Sequence, residues 1–177
     1  MSDALLNDPG WVAVGPDHAG RRHMVERLYH RAALEVTARW GRPIYGAFVQ
    51  GRLAGVAATF AAGRYPPPGW TLAAYVPAFL LAGAAAIERG LRTASVQDGG
   101  HPEHEHVFLW FLTVDPARQR QGVGRALLSR VIEDAEAPVY LDTTNPGNLP
   151  YYASFGFEIS GQGELPRETT MWFMTRP

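Results

Sequence analysis

Cysteine is absent from the 177 residues, which removes disulfides, thiolate metal sites and a cysteine nucleophile together and is compatible with a cytoplasmic location. Lysine is absent as well; all sixteen basic residues are arginine, and beside abundant alanine and glycine this reads as the codon use of a GC-rich genome rather than as function. The formal net charge is only −1, so the basic excess that a nucleic-acid groove needs is missing. No basic region precedes an apolar run in Met1 to Asp8, which excludes a secretory signal peptide there. Tyr65 to Ile87 is uncharged over 23 residues, long enough to cross a bilayer. It is interrupted by Pro66, Pro67, Pro68 and Pro77 and is rich in alanine and glycine, so no membrane partner is expected.

What remains is the composition of a globular chain, 46% hydrophobic and 19% charged, long enough to bury roughly 70% of its unfolded surface in one core. A single domain over 1–177 is expected. Met24, Leu28, Ala32 and Val36 recur every four positions between arginines, predicting an amphipathic helix over Ala19 to Trp40 that Gly41-Arg42-Pro43 ends. Ile44 to Val49, the Gln50-Gly51 turn and Leu53 to Phe60 predict a hairpin. A proline-rich loop then feeds a buried helix over Ala78 to Arg92, and Gln97 to Glu105 reads as a polar loop. Val107 to Val114, β-branched and aromatic, predicts a buried central strand. A helix over Val123 to Glu136, a strand over Pro138 to Asp142, a short helix over Leu149 to Phe155 and two closing strands near Gly156 to Ile159 and Thr169 to Thr175 complete the order. Alternating strands and helices of this kind predict packing around a mixed sheet.

Chemistry concentrates after the central strand. Gln119-Arg120-Gln121-Gly122-Val123-Gly124 leaves a strand and opens a helix, a geometry that offers unpaired N–H groups and a positive dipole end to an anion. Arg118, Arg120 and Arg125 add charge at the same point, so a phosphate-bearing ligand is expected. The loop is not a Walker A motif, since Arg125-Ala126 stands where Lys and Ser or Thr are needed. It is not a dinucleotide fingerprint either, since Leu127 occupies the third small position.

Val114-Asp115-Pro116, the Gln119 to Gly124 loop with Ala126-Leu127-Leu128, Asn145-Pro146-Gly147-Asn148-Leu149-Pro150-Tyr151-Tyr152 and Phe155-Gly156-Phe157 together resemble the GNAT family of acetyl-CoA-dependent N-acetyltransferases. The likeness is close over His106 to Phe157 and loose before it. Within the family the segment looks most like the puromycin N-acetyltransferase-like branch, a looser likeness. The resemblance implies an α/β fold of the α+β type, with a mixed, mostly antiparallel central sheet flanked by helices, and acetyl-CoA as co-substrate with no metal. By the same resemblance Gln119, Arg120, Gln121, Gly122, Val123, Gly124 and Arg125 would wrap the CoA pyrophosphate. Leu112, Thr113 and Val114 would pair with the pantetheine arm, with the Leu112 amide polarising the thioester carbonyl. Asn145 and Asn148 would hold the arm from the other side, and Tyr152 would protonate the departing thiolate, a task suited to a phenol. Tyr151 reads as a core aromatic.

Two departures from the family pattern stand out. Positions matching Phe108 and Trp110 often carry Glu or His in the family; here both are apolar, and His106 is the next group on that face. His106 could take the amine proton directly or through water, or the amine could arrive neutral with no base needed. His101, His104 and His106 read as a solvated loop rather than a metal set. The other departure is that Met1 to Gly20 contains no convincing strand, with Asp8-Pro9 resembling the end of a first helix; the family's first edge strand is missing or truncated. An uncovered edge leaves a homodimer open. The expected acceptor is a primary amine on a small molecule, attacked directly in a ternary complex, with Trp70, Tyr75 and Phe79 lining its side. A protein or peptide acceptor and a non-catalytic acyl-CoA sensor are the alternatives.

Overall fold

The structure, a computed structural model, describes residues 8–41 and 43–177; the expectation for Met1 to Asn7 lies outside them. The hairpin forms as its alternation requires, with β1 (Ile44–Val49) antiparallel to β2 (Arg52–Phe60) across the Gln50-Gly51 turn. The remaining strands are β3 (Val107–Val114), β4 (Val139–Thr143), β5 (Glu158–Leu165) and β6 (Thr169–Arg176), and the six-stranded sheet runs β1-β2-β3-β4-β6-β5. Among the described residues only the β3–β4 contact is parallel, the mixed, mostly antiparallel arrangement that the resemblance implies.

Helices cover both faces. On one, α5 (Val123–Glu133) and α6 (Leu149–Ala153) press Leu127, Leu128, Val131 and Tyr152 onto Ala57, Val107, Leu109, Leu141 and Met174. On the other lie α1 (Pro9–Val14), α2 (Ala19–Val36), α3 (Val76–Ala82) and α4 (Ala84–Gly100). Beneath them Phe60, Phe108, Tyr140, Met171 and Phe173 form one cluster, and Ala32, Ala33, Val36 and Tyr75 another.

Several expectations are corrected on this second face. The stripe on α2 is rotated: Met24 is 52% exposed while Val25, Glu26, Ala32, Ala33 and Val36 are buried. The helix closes in a π-helical turn over Thr37–Gly41, where the Thr37 hydroxyl donates to the Ala33 carbonyl. Asp8-Pro9 starts a helix rather than ending one, because the Asp8 carboxylate accepts from the Gly10 amide at 2.9 Å and caps α1. The anticipated buried helix over 78–92 is two helices broken at Gly83, and Leu80 and Leu91 are 82% and 68% exposed. Unbroken apolar sequence there serves one packed side and leaves the other to solvent. No helix among the described residues is long and apolar enough to cross a membrane.

The polar loop over 97–105 is also corrected, since α4 continues through Gly100. Gly99-Gly100 signalled a break, but a Cβ on Gly100 would stand 2.4 Å from the Phe173 ring. The glycine serves close approach of helix to sheet, and that packing outweighs its poor helix propensity. This approach brings Gln97, Asp98 and His101 over the sheet beside β4.

Candidate active site

β3 and β4 are paired at Val107↔Val139 and Phe108↔Tyr140 only. Both strands then continue, to Val114 and Thr143, so beyond Phe108 they part and leave a gap in the middle of the sheet. The opposite edge of β3 stays paired, with Leu112, Thr113 and Val114 against Ala57, Val56 and Gly55. Leu112–Val114 therefore has one backbone edge free for an added strand, as pairing with a pantetheine arm requires.

A bulge sets which side chains flank the gap. Leu109 pairs with Thr59 and Phe111 with Ala58, which leaves Trp110 over. The inserted residue flips the alternation. Val107 and Leu109 pack toward α5, and so do Leu112 and Val114, whereas Phe108, Trp110 and Phe111 all lie toward α2 and α4.

The loop after β3 closes on itself. Asp115 accepts from the Ala117 amide at 2.9 Å, and the Gln121 side chain donates to the Ala117 carbonyl at 3.0 Å. Arg120 (φ 59°) and Gly122 (φ 84°) are both left-handed. For arginine that conformation costs about 1–2 kcal/mol, and glycine adopts it freely. Gly122 caps α5 with no side chain, and the first helical bond runs from Ala126 to the Gly122 carbonyl. The amides of Val123, Gly124 and Arg125 consequently have no partner within the helix. Gly124 leaves room beside them; a Cβ there would lie 3.3 Å from the Tyr151 hydroxyl and 3.5 Å from Val114. That hydroxyl is buried and without a hydrogen-bond partner, so Tyr151 presents a donor to the loop as well as a ring to the core. Free amides, arginines and an orphaned hydroxyl around a side-chain-free position fit the pyrophosphate of CoA.

Asn145 and Asn148 flank the far side of the gap and are partly committed to structure. The Asn145 side chain accepts from the Gly147 amide at 2.9 Å, and Asn148 donates to the Thr143 hydroxyl at 3.3 Å. Tyr152, on α6, is 8% exposed and packs edge-on to Tyr151 and Phe157. Burial, reinforced by Tyr151 and by the charges of Asp142 and Asp8, raises its phenol above the ordinary range. It remains protonated throughout the neutral range, as a proton donor must.

His106 does not join this group. It precedes β3 by one residue, six positions and about 20 Å along the strand from Leu112. Its ring bonds to His101 at 2.8 Å and to the His104 carbonyl at 2.9 Å. His106 is thus set well apart from the backbone edge at Leu112, because a strand separates residues by their number whatever face they share. Among the acceptor-side aromatics, Tyr75 is buried against Tyr29 at 4.9 Å, but Trp70 is 63% exposed.

Asp142 is a part-buried acid that sequence reasoning passed over. It lies on β4 two residues past Tyr140 and three before Asn145, with Oδ2 accepting from the Gln97 side chain at 2.7 Å. Burial raises its pKa to about 6, with the Asp8 charge acting in the same direction and the Gln97 bond against it. Burial also raises the phenols of Tyr29, Tyr65, Tyr140 and Tyr152, and the Asp142 charge raises each further. One carboxylate thus acts electrostatically on side chains of α2, the loop after β2, β4 and α6. The available signal was an acid within an otherwise apolar strand, Val-Tyr-Leu-Asp-Thr, where burial is costly unless it serves something.

The fold is shared with solved acetyltransferases. A protein described as histone acetyltransferase HPA2 and related acetyltransferase from Corynebacterium glutamicum superposes with a TM-score of 0.69 at 20% identity, over 100% of this chain and 88% of that one. Arylalkylamine N-acetyltransferase 2 from Aedes aegypti gives 0.63 at 13% identity, over 98% and 90%. An N-acetyltransferase from Staphylococcus aureus gives 0.57 at 14%, over 98% and 92%. The sequence model of the Acetyltransferase (GNAT) family matches residues 21–157, the span that holds the gap between β3 and β4, the Gln119 to Gly124 loop and Tyr152. The chain belongs to the GNAT acetyltransferase family: it is an acyl-CoA N-acetyltransferase with acetyl-CoA as donor and an amine as acceptor.

Proposed function

We propose that the chain transfers acetyl from acetyl-CoA to a primary amine on a small molecule, by direct attack within a ternary complex. What supports a small acceptor is the company of Asp142. Its charge acts on tyrosines of α2, the loop after β2, β4 and α6, a gathering of phenols about one acid that suits a compact cationic acceptor. Rings of Tyr29, Tyr75, Trp110 and Phe111 pack together on the same side of the sheet, which suits an acceptor with an apolar body.

In this reading the loop amides and arginines hold the pyrophosphate, and the free edge of Leu112–Val114 orients the thioester. A backbone amide there polarises its carbonyl as charge develops on oxygen. The amine attacks the carbonyl carbon, the C–N bond forms as the C–S bond breaks, and Tyr152 supplies the proton to sulfur. The test is free-thiol release from acetyl-CoA over a panel of small amines and short peptides, with the mass of each product. A small primary amine is expected to gain the mass of one acetyl group in place of one hydrogen. Faster turnover of peptides than of every small amine would overturn the acceptor class, and acetyl-CoA binding without any transfer would leave an acyl-CoA sensor.

A further inference from the structure

We infer that Asp142 is the base of this reaction: its carboxylate binds the acceptor's ammonium beside the gap and takes the proton that must leave before the nitrogen can attack. This rests on the small-amine reading above.

The first argument is the lack of a counter-charge. The groups coupled to Asp142 are Asp8 ahead of α1, Tyr29 on α2, Tyr65 on the loop after β2, Gln97 on α4, Tyr140 on β4 and Tyr152 on α6. One is an acid, four are phenols and one is an amide. Asp142 makes no ion pair among the described residues, and its Oδ2 is hydrogen-bonded to Gln97. A carboxylate withdrawn from water is normally paired with a cation. Here the cation has to come from outside, and Asp142 keeps part of its surface exposed, so an outside group can reach it. An ammonium is the chemistry that completes the set, with aromatic faces at hand for its flank.

Position is the second argument. Residues two apart on a strand share a face, so Asp142 follows Tyr140 past the last rung with β3, at the level of Trp110 and short of Leu112. An amine held there lies between the carboxylate and the stretch of β3 that orients the thioester.

The third is basicity. His30 and His101, the nearby histidines on α2 and after α4, are pushed down to about 4 by burial. At that value they are poor proton acceptors at neutral pH, whereas a carboxylate held near 6 is ionised and still basic enough to act. Burial raises the proton affinity of both Asp142 and Tyr152, yet at neutral pH the first stays ionised and the second protonated, the division of labour that two-group catalysis needs.

The protons balance. The ammonium gives one to Asp142, which returns it to solvent after turnover. As sulfur leaves it takes the Tyr152 proton, and the second amine proton, lost as the amide forms, restores the phenol. The net products are the acetylamide, free CoA and one proton.

The experiment compares wild type with Asp142→Asn, which retains an oxygen for Gln97, on two acceptors of similar shape: an alkylamine that is charged at neutral pH and a weakly basic amine that is not. For the alkylamine, kcat/KM should fall by roughly 10²–10⁴ and the acidic limb near pH 6 should vanish. The weakly basic acceptor should lose much less, and acetyl-CoA affinity should hold. Equal losses on both acceptors, or a limb that persists, would overturn the inference by making the effect structural. Should Asp142→Asn not fold, Gln97→Ala decides: losing the donor raises the carboxyl further, so the limb must move to higher pH, and an unmoved limb overturns the inference. A wild type that acetylates well and an equally active Asp142→Asn would sink this inference alone, whereas a wild type that acetylates no small amine sinks it together with the proposed function.

Discussion

Phe108 and Tyr140 form the last rung between β3 and β4; the residues assigned to chemistry lie on the side where the two strands separate. The Gln119 to Gly124 loop ends one arm of that gap, and Asn145, Asn148 and Tyr152 follow the other.

Gly124→Asp should abolish measurable acetyl-CoA affinity while the fold survives. The new side chain enters the space between Tyr151 and Val114, where a Cβ has 3.3 Å and 3.5 Å, and puts a negative charge at a helix N-terminus suited to phosphate. Titration calorimetry on the folded variant checks this; unchanged affinity would show that the phosphates bind elsewhere.

Tyr152→Phe removes one hydroxyl and keeps the ring that packs on Phe157, so thermal stability should move little. Turnover should fall by roughly 10²–10⁴, the span of a positioned acid, with acetyl-CoA still bound. Steady-state rates on the best acceptor, with affinity measured alongside, separate this from loss of a cofactor anchor; a fully active variant would return Tyr152 to the core.

Asp142→Asn should be more stable than wild type at pH 7. The folded carboxyl titrates at about 6 and an unfolded one near 3.9, so between these values the native state binds more protons and stability falls as pH rises. A tenfold change in an acid constant is worth about 1.4 kcal/mol, and a group that keeps some contact with water realises less than the full amount, which leaves a cost on the order of 2 kcal/mol. That cost is fully present above about pH 6 and absent below about pH 4. In thermal melts from pH 4 to 8 the two proteins should therefore diverge progressively as pH rises through this window. Curves that stay parallel would mean that burial does not penalise the charge.

Leu128→Ala and Leu80→Ala should behave oppositely. Leu128 on α5 is fully buried against the sheet and Leu80 on α3 is 82% exposed. The first substitution should cost about 2–5 kcal/mol and the second within about 0.5 kcal/mol, by urea unfolding. A large effect at Leu80 would mean that a partner covers that face in solution.

How much was legible follows from where each signal resides. The hairpin at Gln50-Gly51, the central strand, the turn at Gly122 and the helix it opens are written in neighbouring residues, since turn geometry and alternation act over a few positions. The Gln119 to Gly124 turn and the short helix that carries Tyr152 could be read from sequence for the same reason, each lying in a continuous run of family-like residues.

What the sequence by itself determined, then, is the family, the strands and the turns between neighbouring residues. Tertiary structure decided the rest. The bulge at Trp110 depends on the pairing of β2 with β3, and the continuation of α4 through Gly100 depends on Phe173, far along the chain. His106 leads into the strand that holds Leu112 but is separated from it by that strand's length, whereas Asp142 bonds to Gln97 and its charge acts on Tyr29, Tyr65 and Tyr152 although none adjoins it in the chain. Propensity and periodicity describe a residue's neighbours along the backbone; a buried charge is defined by its neighbours in space, and those exist only after strand pairing and helix packing have brought distant segments together.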